Sequence, residues 1–340
     1  MTHPLPPITL YRRPRAGLAP MTTAHTPTRS YTILGAGALG GYYGARLHHA
    51  GFHVNFLFHR DYPDARRAGL GVDSDEAGDL SIPPDHLRAF GHPEDLPPAD
   101  VALLCLKTTA NDALPDLLPR ALKPDGVAVV LQNGLDVEHA VARLVGPGRV
   151  LGGLCFLCAN KTAPARVHHL CYGKIKLGAY DPHNRPGGIT DRLRAVAADF
   201  NDAGVPTNAV EDLRLARWQK LAWNIPFNGL SVALDATTDR LIRDPHARAL
   251  VDLLIADVKH AAAAEGRDLD QPFLDALLDD TERMTPYRTS MKIDHDEGRP
   301  MEIDAIITAP LRAAEAANCS TPHLRWLHHH LRAIDHRPRP

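Results

Sequence analysis

Short apolar runs and turns alternate along the first part of the chain. Strand-like runs at 31–34 and 53–58 enclose a helix-compatible segment that ends near Gly51. The continuous apolar runs at 101–106 and 126–131 are typical of parallel strands that are buried on both faces. Strands that alternate with helices in this way predict an α/β domain with a mostly parallel sheet of the Rossmann type.

The spacing of apolar residues changes after these strands. Turn residues separate three β-like segments, at 151–159, 165–170 and 174–177, which predict an antiparallel extension of the sheet. A helix at 190–201 and a short strand at 205–210 are expected to close this domain. From Glu211 onward the spacing is helical throughout, so the second domain is predicted to be all-helical.

The chain therefore divides into three predicted parts. Residues 1–30 are rich in proline and threonine and contain no acid, so we expect a disordered extension. Residues 31–210 form the predicted dinucleotide-binding domain, although 61–98 is polar and holds at most short strands near 70–72 and 80–82. Residues 211–340 form the predicted helical substrate and catalytic domain.

A glycine-rich turn follows the first predicted strand. Its sequence is Gly35-Ala36-Gly37-Ala38-Leu39-Gly40, which matches G-x-G-x-x-G between a strand and a helix. The first glycine permits a tight turn, the second lets the backbone approach a pyrophosphate, and the third lets the helix pack closely on the sheet. The N–H groups at the helix N-terminus then face the phosphate. This segment predicts a dinucleotide site.

The end of the second predicted strand indicates which dinucleotide binds. Sites for NAD usually carry an acidic residue there, which holds the ribose hydroxyls. This chain has His59 and Arg60, and a guanidinium favours the 2′-phosphate of NADP. The following Asp61 weakens this preference, and a solvated loop arginine is the alternative interpretation.

Two more predicted strands end in polar residues. The run at 101–106 leads to Lys107, and the run at 126–131 leads to Gln132-Asn133-Gly134. Ligands of open parallel sheets bind at the carboxyl ends of the strands. We therefore expect Asn133 to contact cofactor or substrate, with a simple Asn-Gly turn as the alternative.

A polar stripe runs along the first helix of the second domain. Lys220, Asn224 and Asn228 recur every four residues in an otherwise apolar segment, which places them on one helix face. Burying an ammonium group and two amides among apolar side chains is costly unless they face a polar cavity. The stripe predicts a substrate site, and a solvent-facing stripe is the alternative.

A second polar patch lies further along the helical domain. Ser290 begins a short helical segment, a glycine break follows, and Glu302 and Asp304 precede another helix. By position alone the two acids are favourable charges in the first turn of that helix.

Composition excludes several classes of function. The formal charge of −2 gives no basic field for nucleic acid or an anionic membrane surface, and no apolar run is long enough to span a bilayer. We expect a cytoplasmic protein. Five cysteines form no disulfide framework, and Cys155-x-x-Cys158 has no second pair for a metal. The twenty histidines, including His168 and His169, show no ligand spacing and are interpreted as surface residues.

Together these motifs, in this order, resemble those of the ketopantoate reductase family over residues 31–335. The resemblance implies reduction of 2-dehydropantoate to pantoate with NADPH in pantothenate biosynthesis. It implies that Lys220 is the catalytic general acid and that Glu302 lies near the reacting hydroxyl and the cofactor. The residues implied to bind substrate are Asn133, Asn224, Asn228 and Ser290. Lys107 and Asn133 correspond to the cofactor edge.

The resemblance is incomplete at the substrate end. Many relatives carry Asn where this chain has Tyr287, and Met301 replaces the usual Thr before Glu302. A reductase of the same build that acts on another 2-oxo acid is therefore an alternative. A non-catalytic NADP-sensing protein is a second one. The apolar helical domain is compatible with a homodimer.

Overall fold

The structure is a computed structural model that describes residues 28–336. The described residues form two compact units, 28–217 and 218–336. The predicted extension of 1–30 lies outside the described residues except for its last three, of which Ser30 begins the first strand. The domain limits proposed from the sequence stay predictions.

The first unit is an α/β domain built on one sheet, as predicted. Its strands are β1 (Ser30–Leu34), β2 (His53–Leu57), β3 (Leu70–Ser74), β4 (Leu80–Ile82), β5 (Arg88–Phe90), β6 (Ala99–Leu104), β7 (Leu122–Val130), β8 (Val150–Ala163), β9 (Arg166–Ala179) and β10 (Thr207–Val210). The strand order is β4-β3-β9-β8-β7-β6-β1-β2-β5, with β10 paired to β9.

The helices of this unit are α1 (Ala38–His49), α2 (Tyr62–Ala68), α3 (Leu114–Ala121), α4 (Glu138–Val145) and α5 (Asp191–Asp202), with 3-10 turns at Pro93–Asp95, Thr108–Ala113 and Pro147–Arg149. Helix α1 is favoured by the absence of β-branched residues, and Gly44 lets it approach β2 so closely that a Cβ there would lie 2.3 Å from the Phe56 ring. The largest fully buried side chains on and around the sheet include Tyr31, Tyr43, Phe56 and Phe200.

The parallel centre of the sheet brings four strand ends to one edge. Parallel pairing sets Leu57 of β2 opposite Leu34 of β1, Leu34 opposite Leu104 of β6, and Leu104 opposite Val130 of β7. The segments that follow these strands therefore leave the sheet together. They contain the glycine turn, Arg60, Lys107 and Asn133.

The antiparallel extension is confirmed, but its predicted division was wrong. Strands β8 and β9 are each 14 residues long and pair over nearly their whole length, where the sequence predicted three short segments. Irregular register, including extra residues on β9 such as Gly173, lets the strands continue through apparent turn residues. Helix α2 and strand β5 lie in the segment 61–98, where only short strands were expected.

Helices are the regular elements of the second unit, and its described residues contain no strand, as predicted. It contains most of α6 (Leu213–Ala233), then α7 (Thr238–Arg243), α8 (Pro245–Ala264), α9 (Gln271–Arg283), α10 (Ser290–Asp296), a π-helical segment at Asp304–Thr308, α11 (Ala309–Ala316) and α12 (Pro322–Asp335). Helix α6 continues through Pro226, and Trp218 and Phe227 on it are fully buried.

Candidate active site

The glycine turn is shaped by two close backbone contacts. Gly35 has a φ of +96°, and a Cβ there would lie 2.6 Å from the backbone nitrogen of Leu106. A Cβ on Gly40 would lie 2.3 Å from the carbonyl oxygen of Gly35. Side chains at these two positions would collide with backbone, so the turn requires both glycines.

Gly37 differs from Gly35 and Gly40, the other two glycines of the motif. Apart from Gly37 itself, its chain neighbours and the adjoining helix backbone, no atom of the described residues lies within 4 Å of the position its Cβ would take. Gly37 is the N-cap of α1, and the first turn of that helix carries no acid and receives no side-chain cap. The residues around this open position leave a cradle with helix N–H groups and without negative charge, which fits a pyrophosphate. The turn therefore has the backbone shape that a pyrophosphate site requires, and the dinucleotide site stays a prediction.

An exposed arginine, Arg60, and a buried acid, Asp61, follow the end of β2. His59 and Arg60 are exposed. The carboxylate of Asp61 is buried, lies 2.6 Å from the ammonium nitrogen of Lys161, and accepts a hydrogen bond of 3.1 Å from the backbone N–H of Ala165. Asp61 thus fastens the β8–β9 hairpin to α2, which the sequence did not reveal.

Lys107 and Asn133 leave neighbouring strands at the same edge. Lys107 is half-buried and precedes the 3-10 turn that begins at Thr108, where its carbonyl accepts a hydrogen bond of 2.9 Å from Ala110. Asn133 is half-buried and is followed by Gly134, whose φ is +116°. The left-handed backbone at Gly134 shows that the Asn-Gly pair does turn the chain, so the two interpretations of Asn133 are compatible.

Gln132 links these two strand ends, and the sequence analysis gave it no role. Its side-chain N–H₂ donates to the carbonyl of Leu106 at 2.9 Å and to Oδ1 of Asn111 at 2.7 Å. Its Oε1 is buried and has no hydrogen-bond partner within the part of the chain that the structure describes. At the carboxyl ends of the parallel strands, where ligands bind, such an oxygen is consistent with a hydrogen bond from a ligand N–H.

The predicted stripe on α6 is buried rather than exposed to solvent. Asn224 and Asn228 have only 3% and 2% of their surface exposed, and Lys220 is half-buried. The solvent-facing alternative is therefore wrong. Oδ1 of Asn228 is buried without a hydrogen-bond partner among residues 28–336. Such an oxygen costs free energy unless a ligand or a water molecule donates to it, which is consistent with a polar site at the stripe.

Ser290 is brought to this stripe through a pair of hydroxyls. Ser231, three residues after Asn228, lies 2.7 Å from the hydroxyl of Thr289, and both side chains are fully buried. Thr289 caps α10, of which Ser290 is the first residue. Lys292 stabilises the same junction between α6 and α10 through ion pairs with Asp235 and Asp296. Burial opposes the charge of Lys292, but these two carboxylates raise its pKa.

The two acids of the second patch differ in their surroundings. Only 7% of the surface of Glu302 is exposed. Its backbone carbonyl accepts a hydrogen bond of 3.1 Å from the backbone N–H of Ile306. Asp304 is exposed and pairs with Arg332 at the start of the π-helical segment. The helix-charge interpretation therefore suits Asp304, whereas Glu302 is a buried acid.

Other chemistry suggested by residue type is not assembled in the described residues. They contain no group of His, Cys, Asp and Glu arranged to hold a metal, and all five cysteines are free thiols. No helix among them is long and apolar enough to cross a membrane. The assignment of His169 to the surface was wrong, since this ring is fully buried against Tyr42.

Two family models match the chain. The model described as Ketopantoate reductase PanE/ApbA matches residues 31–182, and that described as Ketopantoate reductase PanE/ApbA C terminal matches residues 212–335. The chain belongs to the ketopantoate reductase family. It is therefore an NAD(P)-dependent oxidoreductase.

Relatives and solved structures agree with the family. The chain is 47% identical over 311 residues to the 2-dehydropantoate 2-reductase of Nostoc sp., covering 92% of this chain and 97% of the relative. The 2-dehydropantoate 2-reductase structure from Geobacter metallireducens is 39% identical with a TM-score of 0.84, over 89% of this chain and 99% of that one. The chain also shares the fold of the ternary structure of D-mandelate dehydrogenase with NADH and anilino(oxo)acetate. The TM-score is 0.82 at 21% identity, over 90% of this chain and 98% of that one.

Proposed function

We propose that this member of the ketopantoate reductase family reduces 2-dehydropantoate to pantoate with NADPH, as a step of pantothenate biosynthesis. The relative from Nostoc sp. bears the name of this reaction at 47% identity. The structural observation that carries the proposal is the buried stripe on α6. The stripe carries the ammonium group of Lys220 and the side-chain amides of Asn224 and Asn228. The buried Oδ1 of Asn228 has no hydrogen-bond donor among the described residues.

Lys220 is proposed as the general acid. Reduction of a 2-oxo acid requires a hydride at the carbonyl carbon and a proton on the carbonyl oxygen. Bound NADPH would supply the hydride. An ammonium group polarises the carbonyl by stabilising the negative charge that develops on its oxygen, and it then transfers its proton to that oxygen. A lysine is mostly protonated near neutral pH, since its usual pKa is about 10.4.

The remaining polar residues of the helical unit are proposed to orient the substrate. The N–H₂ groups of Asn224 and Asn228 and the hydroxyl of Ser290 can donate to the substrate carboxylate. The buried Oδ1 of Asn228 can accept from a substrate hydroxyl, which 2-dehydropantoate carries. Glu302 is proposed either to orient Lys220 or to accept a hydrogen bond from a substrate hydroxyl. The position of Lys107 favours a contact at the cofactor edge.

Preference for NADP over NAD is proposed from the end of β2. Arg60 is exposed at the position that follows this strand and can form a bidentate contact with a 2′-phosphate. Asp61, the acid that weakened this assignment in the sequence, is engaged with Lys161 and the N–H of Ala165. These contacts compete with a hydrogen bond from a ribose hydroxyl to the same carboxylate.

Oxidation of NADPH across a panel of 2-oxo acids tests the proposed function. We expect the highest kcat/KM with 2-dehydropantoate and a lower value with NADH than with NADPH. A higher kcat/KM with another 2-oxo acid would reassign the substrate. Cofactor binding without turnover of any member of the panel would favour an NADP-sensing protein.

A homodimer is proposed as the assembly. Trp326 and Leu253 leave 51% and 41% of their surface exposed in the helical unit, and they could contribute apolar area to such an interface. A solved structure from Staphylococcus aureus is described as a dimeric ketopantoate reductase, at 22% identity and therefore as a likeness of fold. Light scattering should give twice the chain mass, and the chain mass alone would contradict the dimer.

A further inference from the structure

The segment that carries Asn133 has an irregular backbone between β7 and α4. Gly134 and Asp136 both have positive φ angles, +116° and +61°. A left-handed conformation is unfavourable for a residue with a side chain and persists where the surrounding structure holds it. Leu135 and Val137 are buried, so part of this support is apolar. The rest comes from two arginines at the start of α6.

Arg217 holds the beginning of this segment. Its Nη1 donates to the carbonyl of Gln132 at 2.8 Å, and its Nη2 donates to the carbonyl of Val130 at 3.3 Å. Its Nε lies 2.9 Å from Oε1 of Glu138, which also receives Nη2. Arg217 and Glu138 are each 3% exposed. One guanidinium thus joins the end of β7, the residue before Asn133 and the first residue of α4.

Arg214 holds the other side of the segment. It forms an ion pair with Asp136 and is itself buried, with 7% of its side chain exposed. His139 lies 3.3 Å from the same carboxylate. Because Arg214 and Arg217 are three residues apart on α6, they lie on one helix face, and their partners Asp136 and Glu138 are two residues apart in the segment. We call these two pairs the arginine clamp.

We propose that Arg214 and Arg217 are positioning residues for the reaction, acting through Asn133. The clamp fixes the carbonyl of Gln132 on one side of Asn133 and the left-handed Asp136 on the other. It also fixes the strand end at Leu106, because the side chain of Gln132 donates to that carbonyl. This inference rests on the proposed function, in which Asn133 contacts cofactor or substrate.

The clamp differs from an ordinary stabilising ion pair in its carbonyl contacts. Replacing a buried pair by apolar side chains of similar size is often neutral for stability, whereas removing one partner leaves an unpaired buried charge. The double variant Arg217→Met/Glu138→Leu should therefore recover much of the stability that Arg217→Gln loses. It cannot restore the donors to Gln132 and Val130. The variant Arg217→Lys keeps the charge but lacks the planar set of donors.

The experiment combines stability, hydrogen exchange and kinetics for Arg217→Gln, Arg217→Lys, Arg214→Gln and the double variant. The matched control is Arg29→Gln, which breaks a part-buried ion pair with Asp199 in the same unit. Hydrogen exchange of the amides at 132–137 is measured without ligand, so it reports on the clamp independently of turnover. Steady-state kinetics with NADPH and 2-dehydropantoate report on its effect on the reaction.

We expect faster exchange at 132–137 in all four clamp variants and unchanged exchange there in Arg29→Gln. We expect kcat to fall by on the order of 10–100-fold in the clamp variants, because small displacements of positioning groups are costly. The double variant should remain slow even where its Tm returns to that of the wild type. Compared with Arg217→Gln, the variant Arg217→Lys should recover more of the stability than of kcat.

Two results would overturn the inference. Recovery of kcat together with Tm in the double variant would show that the clamp is merely structural. Unchanged exchange at 132–137 in Arg217→Gln would show that the segment does not depend on it. If the wild type itself does not turn over 2-dehydropantoate, the proposed function fails, while the exchange result still decides whether the clamp holds the segment.

Discussion

The hydroxyl of Ser231 on α6 lies 2.7 Å from the hydroxyl of Thr289, the residue that precedes Ser290. The hydroxyl of Ser231 donates to the carbonyl of Asn228, and Thr289 accepts from the N–H of Lys292, so the Thr289 proton is directed to Ser231. This contact joins the last turns of the stripe to the first turn of α10. It explains how residues about 60 positions apart in the sequence reach one surface of the helical unit.

Ser231→Ala tests this junction. The substitution removes the acceptor of the Thr289 proton, and an unsatisfied buried hydroxyl costs about 1–3 kcal/mol. We expect unfolding by urea to show a loss of that size. We also expect KM for the 2-oxo acid to rise more than kcat falls, because Ser290 is displaced. Thr281→Ala, which loses a hydroxyl contact with Trp223 elsewhere in this unit, is the control and should leave KM unchanged.

Lys220→Ala tests the general acid. Loss of general acid catalysis typically lowers the rate by about 10²–10⁴-fold. We expect kcat to fall within that range, while the Kd for NADPH, measured by fluorescence, changes little. Lys259→Ala, which removes a half-buried lysine of α8 that donates to Oε1 of Gln271 in the same unit, is the control and should retain full activity. Normal turnover by Lys220→Ala would remove the assignment.

The three glycines of the turn should respond differently to alanine. Gly35→Ala and Gly40→Ala force a Cβ against backbone atoms at 2.6 and 2.3 Å, so both should lose stability by about 1–3 kcal/mol or more. Gly37→Ala meets open space and has a φ of −81°, so it should fold with wild-type stability. Its methyl group would occupy the phosphate cradle, so its Kd for NADPH should rise at least about tenfold.

Wild-type affinity for NADPH in Gly37→Ala would contradict the proposed cradle. Thermal unfolding of all three variants without cofactor separates the two effects, since only Gly37→Ala is expected to combine normal stability with weak binding.

Arg60 and Asp61 form a matched pair for cofactor preference. Arg60→Gln should lower kcat/KM with NADPH by about tenfold or more and leave NADH nearly unchanged, because a charge-assisted contact contributes roughly 1.5–3 kcal/mol. Asp61→Asn should instead lower stability, because it weakens the contact with Lys161, and should keep the ratio of NADPH to NADH activity. A reversed outcome in the two variants would assign NAD to the site.

His169 predicts a pH dependence of stability. Its neutral ring is satisfied at both nitrogens, since Nε2 donates to the carbonyl of Tyr172 at 3.1 Å and Nδ1 lies 2.8 Å from the Ser74 hydroxyl. Burial lowers the pKa of His169, so the unfolded chain takes up a proton at a higher pH than the folded chain. The contribution of His169 is therefore full above about pH 6.5, the usual pKa, and is lost as the pH falls toward the folded pKa.

The comparison variant is His169→Gln, which cannot titrate in this range but keeps a donor and an acceptor. The difference in unfolding free energy between wild type and variant should shrink from pH 7 to pH 5. His168→Gln, whose ring lies on the surface beside Asp75, is the control. A difference that stays constant with pH would show that His169 titrates normally.

Much of the fold was predictable because its signals are local. Mostly apolar runs of four to six residues mark the buried strands, and each parallel strand delivers the residues after it to the same edge. The prediction of β1, β2, β6 and β7 therefore also placed the glycine turn, Lys107 and Asn133 together. Helix α2 and strand β5 were missed because short polar elements depend on their neighbours more than on their own sequence.

The candidate site was predictable only in part, because some of its features depend on contacts between distant segments. Spacing along a helix defined the stripe on α6, but spacing cannot distinguish a buried polar face from a solvated one. Arg214 and Arg217 gave a weak signal, two arginines three residues apart after an acid-containing segment, and the acids that bind them lie about 80 residues earlier.

The sequence by itself determined the glycine turn, the strand ends and the polar stripe, because each depends on the conformation of a few consecutive residues. Only the tertiary structure decided what three polar groups do. Asp61 is bound to Lys161, Arg217 to Glu138, and His169 is enclosed beside Tyr42. These assignments depend on pairing between distant segments. Burial then makes the choice of partner decisive, because a buried charge or polar group is stable only when it is matched.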